Sequence, residues 1–236
     1  MNKFVKFGVA VCALVAAQSV RADEEKAVVE EQSYGWTAVA FGIATPLQLP
    51  WGWDKWDVFG FDFNVLLSQA PLCYGLQIGG IGNMTSREMM GFGVGGLFNW
   101  AKGDVYGLRA TLGLNYDNGT VYGLEMGGVG YHKDVKGADI ECACCIQDNI
   151  TGCNVSIIGS YTKHESYGCT IGALNIAETA YGAQIAFAYN QAEELHGCQI
   201  GLVNYCRECA WGFQIGVVNI ILDNKVKVLP LINCYF

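Results

Sequence analysis

Proline and charge are both scarce in this chain. Four prolines occur in 236 residues, and Asp, Glu, Lys and Arg together make up 15%, against about a quarter in an ordinary soluble domain. With 31 glycines and 12% aromatics, that composition excludes a disordered chain, a coiled coil and collagen. Basic residues number 14 against 22 acidic, a net charge of −8, which argues against nucleic acid as a partner. Long apolar runs are missing too. Beyond the first 20 residues none approaches the ~20 that a membrane helix needs. Yet 52% of the chain is hydrophobic and the mean hydropathy is +0.24. So apolar a chain, without a spanning helix, is either a dry all-β protein or a membrane β-barrel.

The first residues read as an address. Lys3 and Lys6 form a basic start, residues 7–17 a short apolar core, and Val20-Arg21-Ala22 a cleavage site with small residues at −3 and −1. A signal peptide over residues 1–22 is expected, with export through its cleavage. Residues 23–33, with Asp23, Glu24, Glu25, Glu30 and Glu31, form an acidic leader.

The remainder repeats. Gly60, Gly75, Gly91, Gly107, Gly123, Gly137, Gly152, Gly168, Gly182, Gly197 and Gly212 recur at intervals of 14 to 16 residues. With the anchor glycine as position 0, position +2 is polar or Gly in every copy (Asp62, Gln77, Arg109, Gln199, Gln214). Position +4 is mostly small, and +1 and +3 are mostly apolar (Leu76 with Ile78, Phe213 with Ile215). A period of two means a strand with two unlike faces. Position −1 is often aromatic (Tyr74, Tyr106, Tyr122, Tyr167, Tyr181, Trp211), and Trp100, Tyr116, Tyr131, Tyr161 and Tyr205 follow at +8 or +9. Polar turns such as Asp117-Asn118-Gly119 separate the copies.

Strands of about 10 residues, tilted about 40°, span roughly 25 Å, the height of the apolar band of an outer-membrane barrel. The expected fold is therefore all-β, an antiparallel up-and-down transmembrane β-barrel over residues 58–236. Eleven repeats plus a terminal strand give 12 strands, or 14 if residues 34–57 add two rather than forming a plug or cap. The alternative is a β-solenoid, one coil per copy, its apolar face turned inward and its Gly and Asn stacked in register.

The units Gly75-Leu-Gln-Ile-Gly79, Gly197-Cys-Gln-Ile-Gly-Leu-Val-Asn204 and Gly212-Phe-Gln-Ile-Gly-Val-Val-Asn219 resemble the tandem repeats of bacterial surface-repeat proteins. That resemblance implies a cell-surface location and no activity for particular residues. The last strand, ending in Phe236, resembles the segment by which outer-membrane barrels meet their assembly machinery. It implies that machinery, and outer-membrane lipid, as partners. The expected role is a structural or narrow-pore surface protein, or, for a solenoid, adhesion or interaction.

Few residues suggest chemistry. Arg109, Glu125, Asp139 and Glu141 share the inward face of neighbouring strands, as a charged constriction or as a paired cluster filling a closed lumen. Cys206 and Cys209 sit in a turn and are candidates for a disulfide. In a barrel, alternate turns share a rim, and the outer rim collects Lys102, Lys133, Lys136, Lys163 and Lys225. His132, His164 and His196 fall in turns as exposed residues, too far apart to share a metal ion. No nucleophile–base pair or phosphate-binding loop stands out. Neither catalysis, a metal nor a cofactor is expected.

Overall fold

The computed structural model describes residues 35–43, 47–51 and 55–235. The expected signal peptide and acidic leader, and Phe236, lie outside them. The elements are β1 (Gly35–Gly42), β2 (Gln48–Leu49), β3 (Trp56–Asn64), β4 (Leu67–Gly79), β5 (Gly82–Gly95), β6 (Phe98–Ala101), β7 (Val105–Thr111), β8 (Leu114–Ile200), β9 (Val203–Ile221) and β10 (Val228–Tyr235). All described elements are strands.

From β3 to β9 the strands do not form hairpins. β3 pairs with β4, and β4 with β5, in parallel, with Gly60 opposite Gly75 and Gly75 opposite Gly91. β5 pairs in parallel with β6 through Asn83 and Asn99, and with β7 through Gly91 and Gly107. Each copy is thus one coil with two strand segments, and successive coils stack into two parallel ladders. This β-solenoid replaces the antiparallel barrel, and strand parity with it. The physical reason lies in like-on-like stacking. Parallel pairing at one repeat offset puts Asn over Asn and Tyr over Tyr, and side-chain ladders of that kind stabilise flat stacked sheets. Tyr106 stacks on Tyr122 with ring centroids 4.8 Å apart, and Tyr167 on Tyr181 at 4.4 Å.

The anchor glycines are where the coils come closest. A Cβ on Gly91 would stand 2.1 Å from the carbonyl oxygen of Gly75, and its φ of +129° is one that other residues avoid. The same approach recurs up the stack to Gly212 over Gly197. Coils ~4.8 Å apart carry Gly60 to Gly212 over roughly 48 Å.

The interior is mainly polar. The +2 row is buried, and so is an asparagine row near +8 (Asn83, Asn99, Asn115, Asn175, Asn190, Asn204, Asn219). Each of these asparagines spans coils. Asn204 Nδ2 donates to Ile215 O at 2.9 Å and Asn219 Oδ1 at 2.8 Å, and its own Oδ1 accepts from Asn190 Nδ2 at 2.9 Å. Gln214 donates to Gln199 and Gln199 to Gln184, each at 2.7 Å. Apolar packing is confined to the rows beside the polar turns, in clusters such as Met89, Ala101, Val105, Val121, Val135 and Ile150. The expectation that a solenoid would turn its apolar +1 and +3 face inward is therefore corrected. Phe61, Phe63, Phe92, Val94, Ile200, Phe213 and Ile215 point out and are exposed. Small residues at +4 let the two sheets approach, and amides that pair with their own kind fill the narrow space.

A further strand adds to each end of the stack. β2 folds back antiparallel on β1, and β1 continues the parallel ladder onto β3. β10 runs antiparallel along β9, with Tyr235 opposite Gly212 and Val228 opposite Ile220. The missing donor of Pro230 falls where that register shifts, between Leu229 and Leu231.

Candidate functional site

Two features stand out, an amphipathic exterior and a charged interior. Outside, residue types change in order from one edge of the coil to the other. The edge at +5 and +6 is apolar and exposed through Leu66, Ile81, Leu97, Ile157, Ile158, Leu202 and Val217, with Leu112 at 86% and Phe187 at 80% exposure. Leu97 N bonds Ile81 O and Val218 N bonds Leu202 O, so at this edge the residues of neighbouring coils lie one above the other. Next on both faces come the apolar rows. Then come two aromatic ladders: Phe59–Tyr74 and Tyr106–Tyr122 on one face, Trp100–Tyr116–Tyr131 on the other. The opposite edge holds the polar turns, with Lys163 paired to Asp148 at 2.7 Å, Arg207 to Glu193 at 3.5 Å, and Arg87 to Asp57.

That geometry redraws the lysine assignment. In a solenoid every coil returns its turn to the same edge, so no alternate rims exist. Lys102 N bonds Thr85 O and shares its edge with Arg87. Lys133 and Lys163 lie on that edge. Lys136 stands in the −1 row with its Nζ 5.1 Å from the Tyr122 ring, and Lys225 follows β9 in the terminal turn.

Inside the central coils lies the charged cluster. Arg109, Glu125, Asp139 and Glu141 are all buried, and the fold adds Asp117, His132 and Cys145. Arg109 is paired with both Asp117 and Glu125. His132 Nδ1 lies 2.9 Å from Asp117 Oδ2 and 2.9 Å from Glu125 Oε2, and its Nε2 lies 3.5 Å from Asp139 Oδ2. Cys145 Sγ donates to Asp139 Oδ2 at 2.6 Å, Asn154 Nδ2 donates to the same oxygen at 3.2 Å, and Asn115 Nδ2 donates to Glu141 Oε1 at 3.1 Å. Burial, and then the charge of Asp139, push the Glu141 carboxyl up to about 8. Burial likewise raises Asp117 to about 6 despite Arg109. Glu125 is held well below the usual range because Arg109 and His132 outweigh its burial. Burial works against the charged form of His132, but Asp139 and Glu125 win and raise it well above its ordinary value.

Counting from the anchor glycine hides His132 in a turn, and the expectation of three exposed histidines is corrected there. Gly123 to Gly137 is a coil of 14 residues. The stacked rows nevertheless step by 15: Asn115, Gly130, Cys145 in one and Asp117, His132, Gln147 in the next. His132 is 1% exposed, whereas His164 and Glu178 meet at the surface. Adding 15 to Asp117 in the sequence would have found it. Cys206 and Cys209 are free thiols in one apolar cluster with Leu195 and Ile221. Contact with Cys209 and burial raise the Cys206 thiol. Cys153, Cys169 and Cys198 take the outward +1 row and are half-buried.

No protein-family model, curated protein or solved structure matches the chain.

Proposed function

We propose that the chain is an exported, surface-exposed β-solenoid that acts by interaction rather than catalysis, and that its partner is lipid. The apolar edge and both apolar faces sit in one leaflet of the outer membrane, and the charged edge stays in water. The order of residue types from edge to edge carries this reading. Soluble chains rarely expose contiguous apolar patches beyond a few hundred Å², and here the apolar rows run the length of the stack. The stacked Tyr and Trp ladders lie between apolar rows and charged turns, where aromatic belts sit at membrane interfaces. From the −1 row to the +5 edge is six residues, roughly 20 Å of strand. One leaflet offers roughly 15 Å of hydrocarbon plus its headgroup layer. The polar rows are shielded between the two sheets, and the ladders satisfy the backbone within the stack.

Flotation of the signal-peptide-free chain with phosphatidylethanolamine–phosphatidylglycerol vesicles tests this. The chain should float. The double variant Leu112→Arg, Phe187→Arg should stay at the bottom, and Lys133→Glu should float unchanged. A chain that stays soluble without lipid or detergent and does not float would assign the apolar surface to a protein contact instead.

A further inference from the structure

We propose that the buried cluster of the central coils is a transition-metal site, with His132, Asp139 and Cys145 as ligands, Glu141 completing the set, and zinc the best-matched ion. The His132, Asp139 and Cys145 donor atoms lie within 4.8 Å of one another, and all three residues are buried. One imidazole, carboxylates and a thiol make a donor set suited to tetrahedral zinc.

Three observations raise this above a chance gathering of acids. First, His132 Nε2 is buried without a hydrogen bond and is turned toward Asp139, whose Oδ2 lies 3.5 Å away. Buried polar groups are rarely left so. Second, the cluster has a notch. Gly130 occupies the row held by Asn115 in the coil before. A Cβ there would stand 2.5 Å from His132 Nε2 and 3.0 Å from Glu141 Oε1. A Cβ on Gly127 would stand 2.7 Å from Glu141 Oε2. Two glycines thus keep side chains out of the space these atoms face. Third, the outer partners suit a metal-bound histidine. His132 Nδ1 meets Asp117 Oδ2 at 2.9 Å, and Asp117 is held by Arg109. A carboxylate on one ring nitrogen fixes the tautomer that offers the other to a metal.

Charge points the same way. Asp117, Glu125 and Asp139 face one guanidinium and one imidazole, an acid-rich setting that suits a divalent cation. The ligands come from two consecutive coils, His132 from one and Asp139, Glu141 and Cys145 from the next. The ion would therefore staple the middle of the stack, taken up as the coils close because the site is sealed once folded.

The test is refolding of the full chain from denaturant with EDTA or with zinc, followed by dialysis and elemental analysis. We expect one zinc per chain and a higher thermal midpoint in the zinc sample. Refolding with cobalt should give the visible bands of tetrahedral cobalt with one thiolate. Cys145→Ser should remove the thiolate band, while the Cys206→Ser, Cys209→Ser pair should keep it. Asp117→Asn should weaken binding about 10–100-fold. No retained metal, or retention unchanged by Cys145→Ser and His132→Gln, overturns the proposal. If those variants fail to fold, X-ray absorption of the zinc-loaded natural chain decides. Mixed nitrogen, oxygen and single-sulfur neighbours support the site. Sulfur-dominated coordination would move the ion to other cysteines and overturn it.

Discussion

Replacing Asn204 by Ala separates the solenoid from any fold with a wet lumen. Asn204 is fully buried in the asparagine ladder. It accepts from Asn190 Nδ2 and donates to Ile215 O and to Asn219 Oδ1. Ile215 O keeps a bond from Gly201 N, and Asn190 Nδ2 keeps Ile200 O, so the variant leaves the Asn219 Oδ1 acceptor as its main orphan. Three lost hydrogen bonds at ~1 kcal/mol each, with an orphaned buried acceptor at roughly 1–3 kcal/mol, give a destabilisation of about 4–6 kcal/mol. In a water-filled barrel the same asparagine would be hydrated, and its loss would cost little. Asn118→Ala, at an exposed turn position, serves as the control and should fall within about 0.5 kcal/mol. Chemical denaturation followed by circular dichroism reads both. An Asn204→Ala midpoint no lower than that of Asn118→Ala would refute the ladder and the parallel stack with it.

Other consequences are equally direct. Gly91→Val should prevent the central coils from closing, because its Cβ meets the Gly75 carbonyl and its φ is positive; loss of native circular dichroism would register this, while Ser86→Val should fold normally. Asp62 is buried, and burial raises its carboxyl from 3.8 to about 6 against bonds from Ser68, Gln77 and Asn64. A raised folded value means its contribution is greatest below about pH 4 and is lost as pH rises through 6, by about 3 kcal/mol. The stability difference between the chain and Asp62→Asn should therefore shift against the natural chain between pH 4 and 7, and a pH-independent difference would contradict this. Cys206 and Cys209 are buried thiols and should resist alkylation in the folded chain while exposed Cys142 and Cys234 react; mass spectrometry of the labelled peptides distinguishes them.

Much of the local structure was legible in the residues themselves. The 14-to-16-residue interval, the strand character and the division of each strand into a Gln/Gly face and an Ile/Leu face are all properties of alternation, and alternation survives any way of pairing the strands. Arg109, Glu125, Asp139 and Glu141 were assigned to one inward face on that basis, and all four are buried together. Direction was not legible, because a period of two reports which face a side chain takes and not whether the next strand returns beside it or above it. Asp117-Asn118-Gly119 has the chemistry of a hairpin turn. In the stack Asp117 points inward onto Arg109 and His132, and the chain passes on to the next coil. The burial of the amide face likewise needed the stack. Gln199 and Asn204 are costly to bury alone, and the copies one coil above and below supply side-chain partners for them. His132 joined the core through a coil one residue short, which shifts the inward rows relative to the anchor glycine. The sequence thus determined the repeat and its two faces; the tertiary structure decided which neighbours each face meets, because hydrogen bonds between coils join residues about fifteen positions apart.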